Sequence, residues 1–324
     1  MTRITFPLSV LAIALLGLLH TVPAQAQPIR VFVALTGNDA NPCTFASPCK
    51  SAQHAHDVVA AGGEIRMLDP GSYGLLTITK AISIQGHGWG GIAASGGATA
   101  ITINAGPTDA ISLQGLILQG FGVGSGNGIV FNSGSSLTVE NCTIRNFTGS
   151  LPIGIGILFQ PNASSNLAVS NTLVAENENL GIEVEPTGSG SVTASLSRVE
   201  VYSGGNLGIR FSGGSSTGTI NAVVEDSVAS NHRNGSGFGL LSFSSVGHAS
   251  TNVMAIRFVS ANNKVGVQVA NAATATLRIG QSTVTGSLIH SWVAGGGILQ
   301  SYGDNNIDGN ADGDPAIPTV IGKK

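Results

Sequence analysis

The chain has 324 residues, a net charge near −3 at pH 7 and only 10% charged residues. No basic run exists and aromatics are 5% of the chain, so nucleic acid is excluded as a partner class. Apolar residues make up 42% and mean hydropathy is +0.29, the opposite of a disordered composition.

At the N-terminus, Arg3 gives a positive start, Leu8 to Leu19 is apolar and Ala24-Gln25-Ala26 has the A-x-A cleavage pattern. Residues 1–26 are therefore expected to be a signal peptide, cut after Ala26, and the mature protein to be secreted or periplasmic. The apolar run is short for a membrane span, and no later segment approaches the ~20 apolar residues a crossing needs. No span is expected in the mature chain.

Residues 27–63 read as an N-terminal unit. Gln27 to Leu35 has a strand pattern (Ile29, Val31, Val33), and a polar loop comes after it. Ser47 can cap a helix with Pro48 at its first position, giving a helix over Cys49 to Ala60. Ala52, Ala55, Val58 and Val59 share one face of it, and Gly62-Gly63 ends it. This face is expected to cover the open end of the strand region that begins at residue 64. Cys43 and Cys49 flank a Pro-containing loop, and in an oxidising compartment they are expected to pair. A metal pair would need further ligands, and His54 and His56 point to different helix faces. Cys142 is left over and reads as a small buried hydrophobe, since no base for a nucleophile can be named.

From residue 64 to 303 the pattern is of strands, beginning Glu64–Leu68, Leu76–Ile78 and Ala81–Ile84. A Gly followed by an apolar residue and a strand-like run recurs at Gly128, Gly156, Gly181, Gly208, Gly239, Gly266 and Gly297, at separations of 28, 25, 27, 31, 27 and 31. No such unit can bury its apolar face alone, so stacked units must make the core of a solenoid. Leu137 to Asn146 is echoed by Leu167 to Val174, giving the order strand, Asn turn, strand, loop, Gly-led strand. Asn141 and Asn171 are expected to form an internal ladder.

Phe32-Val33-Ala34-Leu35-Thr36-Gly37-Asn38-Asp39-Ala40-Asn41-Pro42-Cys43 resembles the opening of secreted right-handed parallel β-helix proteins of the pectin-lyase-like superfamily. Ser47-Pro48-Cys49-Lys50-Ser51 with its helix resembles the N-terminal cap of those proteins, and the Asn-containing units resemble their repeat. The resemblance spans nearly all of the mature chain. It implies an all-β, right-handed parallel β-helix with a short capping α-helix. It does not settle activity, because lyases, hydrolases, esterases, adhesins and phage spikes share the fold.

If the first residue after each Gly points inward, the next points outward. The outward ladder is then Val130, Leu158, Glu183, Arg210, Leu241, Gln268 and Leu299. Glu183 and Arg210 are expected to form a surface ion pair, with Glu185 on the same outer face. Glu176, Glu178 and Glu200 add to the acidic segment. Pectate lyases, which resemble this fold, use Ca²⁺ and a basic residue that removes a proton. Such a site needs converging carboxylates and a neighbouring base, for which Arg210 and Arg198 are the candidates. Gly86-His87-Gly88 copies a short polygalacturonase motif, but the two carboxyl groups that glycoside hydrolysis needs are not visible around it. Near the C-terminus, Asp304, Asn306 and Asp308 before Gly309 fit the first half of a calcium loop, whose position 12 is Pro315. Residues 304–324 read otherwise as an Asn/Asp/Gly-rich turn and flexible tail.

The sequence thus leads to an exported β-helix that binds a polysaccharide or cell-surface glycan without an intact catalytic set. Its rival is a lyase or glycoside hydrolase acting on acidic glycans through Glu183, Glu185 and Arg210, and a third reading is an adhesin-like spacer. Ca²⁺ is the candidate cofactor.

Overall fold

In the computed structural model, residues 26–317 and 319–323 are described; the signal-peptide expectation lies outside them save for Ala26. The chain winds as a right-handed parallel β-helix of about nine turns. Each complete turn carries three strand positions. In the turn from residue 136 to 159, for example, these are Ser136–Glu140, Thr143–Arg145 and Ile155–Phe159. In two turns the first and second strands run together, as Ser165–Ala175 and Val192–Tyr202. The third-position strands stack in parallel into a sheet of nine, from Leu76–Ile78 to His290–Gly295.

The coil interior comes from the alternation of the strands. In the third sheet, Ile101, Ile129, Ile157, Ile182, Ile209, Leu240 and Val267 form one inward column, and all are fully buried. Phe131 and Phe159 stack in the next inward column with ring centroids 4.5 Å apart. One contiguous apolar core runs from Val31 to Ile317.

The repeated glycine has a steric cause. A Cβ at Gly156, Gly181, Gly208 or Gly239 would lie 2.6–2.7 Å from the carbonyl oxygen of the glycine one coil further on. Stacked backbones approach too closely there for any side chain. The column closes at Ser291, not at Gly297. Gly297 instead precedes the first strand of the next turn, Ile298–Ser301, which pairs with Ala275–Gly280. Leu299 is therefore a core residue at 3% exposure, and the outward ladder ends in Val293.

The expected Asn141–Asn171 ladder is also corrected. Both side chains are exposed, and both residues hold left-handed backbone (φ 53° and 47°) at the corner between first and second strands. Asn tolerates that conformation, so the residue serves the turn itself. Arg198, Asp226, Arg257 and Gln281 continue the same column of corners. A second left-handed column comes after the second strand, at Asn146, Glu176, Ser203, Asn231 and Asn262. The buried ladder sits just after it. Asn177 Oδ1 accepts from Phe147 N (3.1 Å), Asn263 Oδ1 from His232 N (2.9 Å) and Asn310 Oδ1 from Ser287 N (2.9 Å).

Cys43 and Cys49 are joined, with Cα atoms 4.6 Å apart, and Cys142 is a buried free thiol. Helix α1 spans Ala52–Val58, shorter than the expected 49–60. Cys49 cannot join it, because its N–H donates to Phe32 O (3.0 Å) and its carbonyl accepts from Ala34 N (2.9 Å). Ser51 is the cap, its Oγ accepting from His54 N. The helix buries Ala52, Ala55 and His56 against the first coil, with Val59 at the C-cap. His56 Nε2 accepts from Thr79 N (3.2 Å), a tie that a purely apolar face would not supply. At the other end Ile317 is 5% exposed within the core, and Ser301 N and O bond to Thr319 O and Ile321 N. The C-terminal segment thus packs on the last coil, where the sequence suggests a flexible tail.

Candidate functional site

The outer face of the third sheet carries two columns of interest. In register, the first runs Thr102, Val130, Leu158, Glu183, Arg210, Leu241, Gln268, Val293. Two residues along each strand, Glu185 is followed one coil on by Ser212, which pairs with Phe243. Val130, Leu158 and Leu180 pack with Ile155 into a small apolar cluster outside the coil, with Leu207 against it. This cluster desolvates the neighbouring position. Glu183 is 4% exposed, the only Asp, Glu, Lys or Arg among the described residues that is buried. It is not the surface ion pair expected from sequence.

Arg210 Nη1 donates to Glu183 Oε1 at 2.7 Å, and Arg210 Nη2 to Ser212 Oγ at 3.3 Å. The guanidinium lies 5.6 Å from the centre of the Phe243 ring. Glu185 Oε1 accepts from Ser215 Oγ (3.0 Å) and Ser212 Oγ (3.4 Å). Burial pushes the Glu183 carboxyl up to about 7; Arg210 pulls the other way, and the Glu185 carboxyl beside it adds to the rise. Arg210 Nε and Gln268 Oε1 are buried without a hydrogen-bond partner. The arrangement therefore offers a proton-exchanging carboxyl near neutrality, a fixed cation, two hydroxyls, an aromatic edge and two unfilled polar valences.

The other acidic residues do not join. Glu176 and Glu200 lie on other parts of the coil, and Glu178 accepts from Gly149 N (2.6 Å). Arg198 sits at the corner, donating to Asn171 Oδ1 (2.6 Å). His87 occupies a left-handed turn position (φ 57°). Asp304 is engaged by Lys323 Nζ (2.6 Å) and Gln281 N (3.0 Å), while Asn306 and Asp308 lie on the last short strand. Among the described residues, the one trio of Cys, His, Asp or Glu side chains close enough to share an ion is Cys43, Cys49 and His54, whose thiols are spent in the disulfide.

The sequence singles out Glu183, Glu185 and Arg210, which the structure brings together, but not Ser212, Ser215 and Phe243 beside them, and it places Gln268 only in the outward column. The missing signal was the column rather than the residue. One repeat on from Glu185 stands Ser212, and one more reaches Phe243.

No protein-family model matches the sequence, and no curated protein sequence does. Among solved structures the chain is similar to the pectate lyase Pel9A, at 18% identity over 89% of this chain and 81% of that one, with a TM-score of 0.57. A rhamnogalacturonan lyase aligns at 12% identity over 80% and 74%, TM-score 0.46. A GH136 lacto-N-biosidase from Eubacterium ramulus aligns at 10% over 83% and 67%, TM-score 0.37. The last two scores are too low to carry an argument. The chain has the pectin-lyase-like parallel β-helix fold. At such identity the likeness defines the fold and leaves chemistry to the site. No helix among the described residues is long and apolar enough to cross a membrane.

Proposed function

We propose that the protein, exported after cleavage behind Ala26, binds a polysaccharide or cell-surface glycan on the outer face of the third sheet, centred on Glu183, Glu185 and Arg210. The observation that carries this reading is the burial of Glu183 against Arg210 in an outward column that has no other charged side chain. A desolvated charge pair costs more than it returns in a scaffold that has apolar residues at the equivalent positions in neighbouring coils. Its retention, beside unfilled polar atoms and Phe243, fits a surface that presents hydrogen bonds to sugar hydroxyls and a ring to a sugar face. Pel9A is a pectate lyase by name, which agrees with a glycan partner for this scaffold.

A second reading is supported by one observation. A carboxyl held near 7 beside a second carboxyl, Glu185, has the makings of a general acid and its partner in a lyase or hydrolase. The two are separated by incubating the purified protein with a panel of acidic glycans. Unsaturated products are monitored in the ultraviolet and reducing ends are counted, with and without Ca²⁺. Binding without turnover supports the first reading, and release of product replaces it with the second. Neither binding nor turnover leaves the spacer.

A further inference from the structure

A groove of about 980 Å³ lies away from the Glu183 cluster, on the outer face of the first-position strands at the C-terminal end. Its floor is one column of the sheet, where Met254, Arg278 and Gln300 stand in register on three successive coils. The adjacent column carries Glu140, Ser170, Ser197, Glu225 and Ile256, and then Gly280. Loss of the side chain at Gly280 has a spatial consequence. A Cβ there would lie 2.9 Å from Tyr302 Cδ2, so glycine lets the tyrosine ring lie across the coil into the groove. The C-terminal segment forms one wall through Ile321 and Lys323, held by the bond from Ile321 N to Ser301 O (2.8 Å).

The charges in this groove are unequal. Asp304 is neutralised by Lys323 at 2.6 Å. Arg278 Nε donates to the neutral Gln300 Oε1 (3.0 Å), and no acidic side chain among the described residues pairs with its guanidinium. The guanidinium is partly buried, lines the groove and is held through Nε by the amide of Gln300, which leaves its terminal nitrogens without a hydrogen-bond partner among the described residues. A planar fork in that state matches a carboxylate, and it discriminates against a neutral ligand. Tyr302 supplies an amphipathic ring and Gln300 an amide, with Met254 and Ile256 as an apolar floor.

We propose that this groove is a second glycan site, selective for a carboxylate-bearing sugar, with Arg278 holding the carboxylate and Tyr302 lying under the sugar face. The identification of the ligand as a glycan rests on the glycan-binding function proposed for the Glu183 face, but the site itself is built from different residues on a different face. A chain with a glycan contact on each of two faces would hold one polysaccharide at two points, and the tether between them would raise overall affinity without new contacts.

The test is titration calorimetry of the mature chain with a galacturonic acid trisaccharide, using the galactose trisaccharide as the neutral control. Arg278→Gln is expected to weaken acidic-sugar binding by about tenfold or more, as loss of a charge-assisted bidentate contact does. Arg278→Lys should restore only part of this, because charge is kept and the fork is lost. Tyr302→Ala should weaken binding, and melting curves should confirm that each variant is folded. Glu185→Gln serves as the control for the other face. If Arg278→Gln binds as the parent does while Glu185→Gln does not bind, the groove assignment falls and the Glu183 face stands. If Arg278→Gln alone loses acidic-sugar binding, the groove stands, and the Glu183 face is then decided separately by whether Glu185→Gln loses binding in the glycan panel. Absence of acidic-sugar binding by the parent chain at millimolar concentration overturns the groove.

Discussion

The two faces of the third sheet are made by alternate residues of the same strands, yet they obey different rules. Inward positions repeat almost unchanged from coil to coil, as Ile129, Ile157, Ile182 and Ile209 do. Outward positions change class at each step, from Leu158 to Glu183 to Arg210 to Leu241. The inner column must pack against its own copies above and below, so one solution propagates. The outer column has no such constraint. Chemistry in this fold therefore resides where the repeat is broken, and a charge on the outer face is informative in proportion to how far it is buried.

The largest expected effect comes from cutting the inner column. Phe131 and Phe159 are fully buried and stack at 4.5 Å. Phe159→Ala should cost about 3–5 kcal/mol, the usual range for a buried ring, measured by denaturant unfolding. It should leave glycan affinity unchanged in the folded fraction. A cost below about 1 kcal/mol would mean that the coil interior collapses around the gap, and that the inner column is less rigid than its stacking implies.

The next effect compares a buried titrating group on each side of the wall. His232 is fully buried inside the ladder between coils, and burial holds it down to about 4, with the carbonyls of Val201 and Gly204 opposing. Its unfolded value is higher, so the unfolded chain binds the extra proton, and stability is lost as pH falls from about 6.5 towards 4. Glu183 has the reverse sign. Its folded value of about 7 lies above its unfolded one of 4.5, so stability is present at low pH and lost as pH rises through 7. Between roughly pH 4.5 and 6.5 the two trends oppose each other, so each partly masks the other in the parent chain. His232→Asn, which copies Asn177 and Asn263 at the equivalent ladder position, should uncover stability that rises as pH falls. Glu183→Gln should uncover the opposite slope. Two variants that slope in the same direction would refute the assignment.

Third in size is the glycine column that joins the faces. Gly181→Ala would place a methyl 2.7 Å from Gly208 O and against Val201, and should cost about 1–3 kcal/mol in overpacking. The same change at Gly88 or Gly247 meets no atom within 4 Å, and its cost reports only the left-handed backbone (φ 83° at each). Equal costs at all three would remove the close-approach explanation.

This column also explains what could and could not be read from the sequence. Gly128 to Gly266 are visible as a repeat because sterics leave one residue type at each position. Gly297 mimics them for a different steric reason, since a Cβ there would run into Val269 Cγ2, and only pairing reveals that it belongs to the next turn. The corners were legible at Asn141 and Asn171, where Asn is the usual left-handed residue. They were hidden at Arg198 and Arg257, where a side-chain bond to the coil before accompanies a conformation that sequence preference disfavours. The Glu183–Arg210 pairing was legible from register alone. Its burial was not, since Leu158, in register with Glu183, joins Leu180 in an apolar cluster outside the coil that the repeat does not announce.

The smallest expected effect is the most diagnostic of an outer face kept for binding. Gln268 stands between Leu241 and Val293 in the outward column, and its Oε1 is buried without a partner. An unpaired buried acceptor is a desolvation cost with no return, so Gln268→Leu should leave stability unchanged or raise it by up to about 1 kcal/mol. A residue that costs stability is retained only where it does something else, and here the unpaired oxygen lies on the same outer column as Arg210. Glycan affinity at the Glu183 face should therefore fall in the same variant. Loss of stability in Gln268→Leu would place the amide in the framework of the sheet. A gain in stability with unchanged affinity would take Gln268 out of the binding face and leave Glu183, Glu185 and Arg210 to define it.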